Sequence, residues 1–241
     1  MAAYGADMNK YLDSGNKERI YRGYESRDPR LQMAVITPYA QYNGASSGIA
    51  HTYTLRWPYR GSDSAEPFDI RTDTNDKFYY LWRKFVPEGL EQTERDTYGL
   101  DIPLIRYAEV LLLKAEALNE WGSTHESEAI RCVNEVRRRA GHVELNNATY
   151  PATKVNGQSD LRERIRNEYY WEIGGEDSMY FHELRWGTWK DKKFDNNRNG
   201  LMQMWGETTY TWYWLGDQCW SWPIPAKEMN SNLEQNEGWI N

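Results

Sequence analysis

Aromatic side chains interleaved with polar ones are the feature of this sequence best suited to chemistry. Five of them lie within 21 residues, namely Tyr39, Tyr42, Tyr53, Trp57 and Tyr59. A sugar ring offers an apolar C–H face and a rim of hydroxyls, so it needs flat rings and hydrogen-bonding side chains together. The segment is therefore suited to binding a glycan, although about half of these rings are expected only to hold the chain against its body.

The composition favours the same use of aromatic residues and excludes several classes of protein. The 241 residues include 12 Trp and 18 Tyr against 5 Phe, whereas a core built only for packing would use Phe freely. A net charge of −7 argues against a nucleic-acid partner. Two cysteines are too few for a disulfide framework or a thiolate zinc site. No apolar run is long enough to span a bilayer.

Motifs of catalysis are missing from the sequence. The four histidines show no HExxH spacing, and there is no GxSxG, P-loop or GxGxxG motif. The 36 carboxylates are expected to form a solvated surface rather than a catalytic pair. The basic run Arg137 to Arg139 lies in the last turn of a predicted helix, where it is expected to be a solvated helix end rather than a phosphate site. The sequence therefore predicts a protein that is not an enzyme and needs no cofactor.

One polar run resembles the first half of a calcium-binding loop. Asp195, Asn197 and Asn199 supply oxygens at positions one, three and five, and Gly200 stands at position six. Position twelve, which needs a bidentate Glu, is Gly206. An ordinary turn is the favoured interpretation, with calcium binding as the alternative.

Helical periodicity is clearest over residues 103–141, which predict a hairpin of the tetratricopeptide type. One helix should follow Pro103 and run from Leu104 to Trp121, and a second should begin near Ser127 and stop at Gly141. Further helices are predicted over 159–173 and 178–186. Residues 31–36 predict a short strand, the rest of the first hundred residues irregular structure, and residues 39–98 a long loop-rich region facing the ligand. The fold class is therefore mostly α, with long ordered aromatic-rich loops.

Several segments in order along the chain resemble the SusD/RagB family of outer-membrane nutrient-binding proteins. The resemblance spans about residues 25 to 239. It rests on RDPRL at 27–31, RYAEVLL at 106–112 with AEA at 115–117, VNEVRRRAG at 133–141, a stretch with Glu168, Glu172, Glu176 and Arg185-Trp186, and PIP at 223–225 followed by LEQNEGW at 233–239.

The resemblance implies a helical, SusD-like fold in a single domain over residues 1–241 and a surface lipoprotein of the outer membrane. Such a protein binds glycans without catalysis and lies as a lid on a TonB-dependent, SusC-like transporter. In that family, binding aromatics come partly from the segment between the RDPRL and RYAEVLL motifs. Here the expected ligand-binding residues are Trp57 first, then Tyr42, Tyr53 and Tyr59, with Arg60 as a hydrogen-bonding partner.

Family members are considerably longer than this chain, which therefore resembles their C-terminal portion. Their lipoprotein anchor and earlier tetratricopeptide helices have no counterpart here, so a missing N-terminal segment of the same protein is expected as a partner. A lone hairpin would leave an apolar face exposed. The alternatives to glycan binding are a peptide-binding, RagB-like protein, a glycosidase, and a helical scaffold without a ligand.

Overall fold

The computed structural model of the protein describes residues 17–25, 27–46, 49–59, 69–73, 81–89, 101, 103–176, 178–194, 201–202, 208–210, 214–229 and 233–239. The chain divides into two compact units, residues 1–179 and 180–241, where the sequence predicts one domain. The fold is mostly α, as predicted.

Helices and strands follow one another in an irregular order along the chain. The helices are α1 (Lys17–Glu25), α2 (Pro29–Ala34), α3 (Tyr107–Trp121), α4 (Glu126–Arg139), α5 (Gln158–Ile173), α6 (Ser178–Arg185) and α7 (Trp189–Lys193). The strands are β1 (Val35–Ile36), β2 (Gln41–Ser46), β3 (Ile49–Tyr59), β4 (Asp69–Asp73), β5 (Leu81–Trp82), β6 (Leu201–Met202) and β7 (Thr208–Tyr210). Short 3₁₀ turns occupy Ser123–His125, Pro151–Thr153 and Asp217–Trp220.

The predicted helical hairpin is present as α3 and α4, joined through the turn at Ser123–His125. Ala115 and Ala129 are fully buried, so the small side chains allow the two helices to approach closely. Helix α3 begins at Tyr107 and not at Leu104 as predicted, because the carbonyl of Arg106 accepts the first hydrogen bonds, from the N–H groups of Glu109 at 2.9 Å and Val110 at 3.2 Å. Leu104 lies upstream and is exposed.

Helix α5 packs on this hairpin and completes the helical core. Leu161 and Ile165 of α5 are buried on the face that meets α3. Two reciprocal hydrogen bonds join the ends of these helices, from Asn119 Nδ2 to the Gln158 carbonyl (3.2 Å) and from Gln158 Nε2 to the Asn119 carbonyl (2.7 Å). Because each side-chain amide donates to the backbone carbonyl of the other residue, the pair fixes the register of the two helices.

Within the region predicted to be loop-rich, residues 39–98, the described residues include a three-stranded sheet in the order β2-β3-β4. Strands β2 and β3 form an antiparallel hairpin with Tyr42 opposite Tyr53, and β4 pairs with β3 in parallel. Along β3, Leu55 is buried while its neighbour Thr54 is half-buried and Thr52 is exposed. These strands were not predicted, because the high polar content of the segment hid the preference of Tyr, Thr and Ile for strands.

Two other predictions for the first hundred residues also differ from the structure. Residues 17–25 form α1 where irregular structure is predicted. The predicted strand at 31–36 is mostly α2, because the Asp28 side chain caps the helix by accepting a hydrogen bond from the N–H of Arg30 (2.9 Å) and Pro29 stands at its first turn. Strand β1 follows directly and pairs with β5, Ile36 opposite Leu81.

The second unit, residues 180–241, holds its aromatic rings in edge-to-face contacts. The Tyr180 and Trp189 ring centroids lie 5.0 Å apart, and those of Trp214 and Trp220 also lie 5.0 Å apart. The indole N–H of the exposed Trp222 donates to the Tyr180 hydroxyl at 2.8 Å. The tail is fixed by the Gln235 amide, which exchanges hydrogen bonds with the backbone of Ile224.

Helix α3 carries large apolar side chains on its outer side, which also holds Lys114, as well as on its buried side. Its exposed residues include Tyr107, Val110, Leu113 and Trp121, which lie at helical spacing on one stripe, called here the α3 stripe. The outer side of α4, in contrast, carries charges such as Arg131 and Arg138. An apolar stripe of this kind marks a surface that another element covers.

Two adjacent leucines of α3 test this description of the core. Leu112 is fully buried and Leu113 is 41% exposed. Leu112→Ala is expected to lower the free energy of unfolding by about 2–5 kcal/mol, because it leaves a cavity. Leu113→Ala should change it by no more than about 0.5 kcal/mol. Urea denaturation of both variants measures the difference, and equal losses would contradict the assignment of the buried face.

Candidate functional site

A cluster of buried ion pairs joins the elements of the first unit. It consists of five cationic and four anionic side chains and is called here the ion cluster. Its members are Arg30, Lys84, Arg106, Arg137, Arg139, Asp28, Glu168, Glu172 and Glu176.

Glu172 of α5 is the centre of the ion cluster. Its Oε1 accepts hydrogen bonds from Arg106 Nη1 at 3.0 Å and from Arg139 Nη2 at 2.5 Å, and its Oε2 accepts one from Arg30 Nη1 at 3.1 Å. The Glu172 side chain is only 2% exposed. One carboxylate therefore holds the start of α3, the end of α4 and helix α2 together.

Two further carboxylates extend the cluster along and beyond α5. Glu168, which is fully buried, accepts a hydrogen bond from Arg137 Nε at 2.7 Å, and its other oxygen lies 2.7 Å from Arg30 Nη1. Glu176 follows the end of α5. It accepts hydrogen bonds from Arg106 (2.7 Å from Nη2) and forms an ion pair with Lys84. The cluster thereby reaches the segment after β5, which carries Lys84.

Asp28 and Arg30 form the outer end of the cluster through a two-point contact. Arg30 Nε lies 3.0 Å from Asp28 Oδ1, and Nη2 lies 2.6 Å from Oδ2. Burial by itself would raise the pKa of the Asp28 carboxyl, but the hydrogen bonds from Arg30 outweigh it, and the pKa lies below its usual value. Nearby, burial lowers the pKa of His142 despite the opposing charge of Asp28.

Glu176 shows the same balance between burial and positive charge. Burial would raise the pKa of its carboxyl. Hydrogen bonds from Arg106 and from Lys84 outweigh burial, so the pKa lies below its usual value. The carboxylates of Asp28 and Glu176 are therefore ionised at neutral pH, and they hold their cationic partners in place.

The ion cluster corrects the prediction that Arg137 to Arg139 form a solvated helix end. Arg137 is buried against Glu168, and Arg139 pairs with Glu172. Arg138 and Arg139 both expose most of their side chains, but Arg139 pairs with the buried Glu172 and Arg138 with the surface carboxylate of Glu144 at 2.9 Å. The sequence contained a signal for this arrangement, because Glu168 and Glu172 recur in phase with Leu161 and Ile165 on the buried face of α5.

An open pocket of about 220 Å³ adjoins the ion cluster, and it is called here the cationic pocket. Its apolar walls are Met33, Phe85 and Trp171, all of which are exposed to solvent. Cations from the cluster complete it, among them Lys84, Arg106 and Arg139. Flat rings beside fixed cationic donors form a surface on which a polar ring compound could stack and bind.

Of the predicted ligand-binding residues, the structure describes the side chains of Tyr42 and Tyr53. They face each other across β2 and β3, with ring centroids 6.4 Å apart, and both are half-buried. Gly44 fits beneath them, since a Cβ there would lie 2.8 Å from the Tyr53 ring. The Tyr42 hydroxyl donates to the carbonyl of Pro87. These two rings therefore support the sheet and offer only part of their surface to a ligand.

The remaining predicted residues are described only in part. The backbone of Trp57 and Tyr59 belongs to β3, whereas their side chains and all of Arg60 lie outside the described residues. The proposed calcium ligands Asp195, Asn197 and Asn199 also lie outside them. Among the residues that are described, no group of His, Cys, Asp and Glu side chains could hold a metal ion.

The segment after β5 fixes the edge of the sheet. Arg83 makes a two-point contact with Glu88, whose Oε2 lies 2.9 Å from Arg83 Nη2. The Glu88 side chain also accepts a hydrogen bond from the N–H of Asn43 at 3.3 Å, and the N–H of Gly89 donates to the Asn43 carbonyl at 2.9 Å. Residues 83–89 thus connect β2 to the neighbourhood of the ion cluster.

No helix in the described ranges is long and apolar enough to cross a membrane.

Comparison with known proteins assigns this fold to a family. The sequence matches the SusD family over residues 5–239, and the chain belongs to that family. The resemblance drawn from the motifs is therefore confirmed. A SusD-like protein of Formosa agariphila, P38, is 36% identical over 104 residues, which are 43% of this chain and 20% of that protein.

Solved structures agree on the fold. A SusD-like protein of Bacteroides fragilis superposes with a TM-score of 0.59 and 23% identity, covering 90% of this chain and 39% of the other. A SusD homologue of Bacteroides thetaiotaomicron gives a TM-score of 0.50 and 22% identity over 88% of this chain and 41% of the other. The chain thus spans about two fifths of the length of these solved relatives.

Replacing the central carboxylate tests whether the ion cluster holds the fold together. Glu172→Gln is expected to lower the free energy of unfolding by about 3–5 kcal/mol, because three arginines lose a buried partner. The matched control on the same helix is Glu163→Gln, whose side chain is 61% exposed, and it should change stability by about 0.5 kcal/mol or less. Losses of equal size in urea denaturation would show that the cluster is not central.

The lowered pKa values of Asp28 and Glu176 predict how stability depends on pH. A carboxyl group whose pKa is lower in the folded state stabilises fully above its unfolded pKa, which is about 4. This stabilisation is lost as the pH falls through the lower folded pKa, so the free energy of unfolding should decline below about pH 4. Urea denaturation across acidic pH measures the slope. Glu176→Gln should make it shallower, and an unchanged slope would contradict the role of Glu176.

Proposed function

We propose that the chain is the C-terminal portion of a SusD-type protein that binds glycans without catalysis at the outer surface of the outer membrane. The observation that carries the proposal is the match to the SusD family over residues 5–239. The protein would hold a glycan by stacking on aromatic rings and by hydrogen bonds at their edges.

The arrangement of rings in the first unit supports this proposal. Trp82, Phe85 and Trp171 expose part of their rings to solvent while the ion cluster fixes the elements that carry them. Trp82 also packs on Gly175, where a Cβ would lie 2.6 Å from the indole. A rigid ring loses little conformational entropy when a ligand stacks on it, so exposed rings on a fixed frame suit weak but specific binding.

Trp57 remains the first candidate for the main stacking ring, followed by Tyr42, Tyr53 and Tyr59, with Arg60 as a hydrogen-bonding partner. Strand β3 carries Trp57 four residues after Tyr53. Because Tyr42 and Tyr53 support the sheet, they would contribute ring edges, and Trp57 would contribute a face. The expected affinity is micromolar to millimolar, or about −8 to −4 kcal/mol.

The partners proposed for the protein are a SusC-like, TonB-dependent transporter and the N-terminal part of a longer chain that carries the lipid anchor. The α3 stripe supports the second of these partners. A helical pair of the tetratricopeptide type buries its outer faces only against neighbouring pairs. We propose that a further helical pair of the same protein covers the α3 stripe, since relatives of known structure are more than twice as long as this chain.

Substitution of Trp57 tests the glycan-binding proposal. Trp57→Ala is expected to remove most measurable binding in affinity electrophoresis on a panel of polysaccharides, because the stacking face is lost, while the melting temperature stays nearly unchanged. The matched control is Trp121→Ala, which removes an equally large ring, 76% exposed, from the outer side of α3. Trp121→Ala should bind like the wild type.

Other results of this assay and of three further ones would replace the proposal. If Trp57→Ala binds as tightly as the wild type, the assignment of Trp57 is wrong. Calorimetric heat with oligopeptides and none with sugars would identify a peptide-binding, RagB-like protein. Continued release of reducing ends from a bound glycan would identify a glycosidase. A transporter that co-purifies with a chain that binds no ligand would identify a helical scaffold.

A further inference from the structure

The cationic pocket has a positive charge that its own carboxylates do not balance. Among its lining residues, Arg30, Lys84, Arg106 and Arg139 are cationic, and Glu172 is the one carboxylate. Burial lowers the pKa of the adjacent His142, so this imidazole adds little charge at neutral pH. The whole chain carries a net charge of −7, so a local excess of positive charge is a specific feature of this surface.

Arg139 is the member of the cluster most accessible to a ligand. Its side chain is 60% exposed, and it lines the cationic pocket. A guanidinium has five N–H donors, and in the described part of the chain the ion pair of Arg139 runs through Nη2 to Glu172. Its planar donors are therefore suited to a two-point contact with a carboxylate.

The apolar walls of the pocket determine which shape of ligand can bring a carboxylate to Arg139. Phe85 and Trp171 present ring surface, and Met33 presents a flexible apolar side chain that is 70% exposed. The volume of about 220 Å³ is smaller than the roughly 300–1,000 Å³ of pockets for drug-sized ligands, so the pocket has room for one ring. A flat apolar face with a charged group at its edge fits these walls.

We propose that the cationic pocket binds a sugar unit that carries a carboxylate, such as a uronic acid residue of an acidic glycan. This inference rests on the proposed glycan-binding function and adds a preference for acidic sugars. The carboxylate pairs with Arg139 and the excess positive charge of the pocket, while the C–H face of the ring lies against Trp171 or Phe85. An acidic amino acid side chain would offer the carboxylate without the ring, and so would leave these walls unused.

The test compares free uronic acids with the neutral sugars of the same ring. Glucuronic and galacturonic acid are titrated into the full 241-residue chain and followed by ligand-observed NMR, with glucose and galactose as neutral counterparts. At least one uronic acid should bind about tenfold or more tightly than its neutral counterpart, since a charged hydrogen bond contributes that much. Raising the salt concentration should weaken this binding.

Two neighbouring arginines provide the matched variants. Arg139→Gln should weaken uronic acid binding about tenfold or more, because it removes the guanidinium that pairs with the carboxylate of the sugar. Arg138→Gln should leave it unchanged, since Arg138 is 65% exposed but pairs with Glu144 and does not line the pocket. A melting curve of each variant confirms that it is folded.

A second pair of variants leaves every residue of the ion cluster unchanged. Met33→Glu places a negative charge on the exposed wall of the pocket and should abolish uronic acid binding by repulsion, whereas Met33→Gln should retain most of it. Because Met33 is exposed, neither change is expected to affect folding.

The outcomes separate this inference from the proposed function. The inference is overturned if uronic acids bind no better than neutral sugars at tens of millimolar, if the two arginine variants behave alike, or if a glutamate-rich peptide binds more tightly. Binding of neutral polysaccharides that depends on Trp57 would then leave the proposed function standing. Loss of binding to every sugar would overturn both.

Discussion

The fold of the first unit depends on a carboxylate that is almost completely removed from water. Glu172 accepts hydrogen bonds there from Arg30, Arg106 and Arg139. These partners come from α2, from the residue before α3 and from the last turn of α4. They lie up to 142 positions from Glu172 in the sequence. Removing one partner of a buried ion pair costs far more than an exposed pair contributes. The ion pairs therefore couple the stability of the elements that carry them.

The same interaction positions surfaces that are available for binding. Lys84 is held by Glu176 and by the carbonyls of Glu172 and Gly174, which fixes the segment that also carries Phe85. That segment continues to Glu88 and the edge of β2, so the aromatic sheet and the helical core are connected through a short stretch of chain. A structural ion cluster thus also orients rings toward solvent.

Helices α3 to α6 could be predicted from the sequence because their signals are local. The Leu and Ala spacing of α3 and the glycines after α5 are visible in the chain itself, and the motif series identified the family. The sheet was missed because its pairing, Tyr42 with Tyr53, joins residues whose polar neighbours resemble a loop. The burial of Arg137 was missed because a helix-end cation is normally solvated, and its partner Glu168 lies on another helix. The phase of Glu168 on the buried face of α5 indicates its burial, but the sequence does not show which cation it pairs with.

The contrast between the two helices of the hairpin indicates how this core continues. The buried sides of α3 and α4 pack together, but α3 carries large apolar side chains on its outer side, and α4 is charged there. A stripe of Tyr107, Val110, Leu113 and Trp121 in water is unfavourable by the same hydrophobic effect that buries Leu112. A second helical pair over that stripe would therefore stabilise α3 and, through Arg106 at its start, the ion cluster.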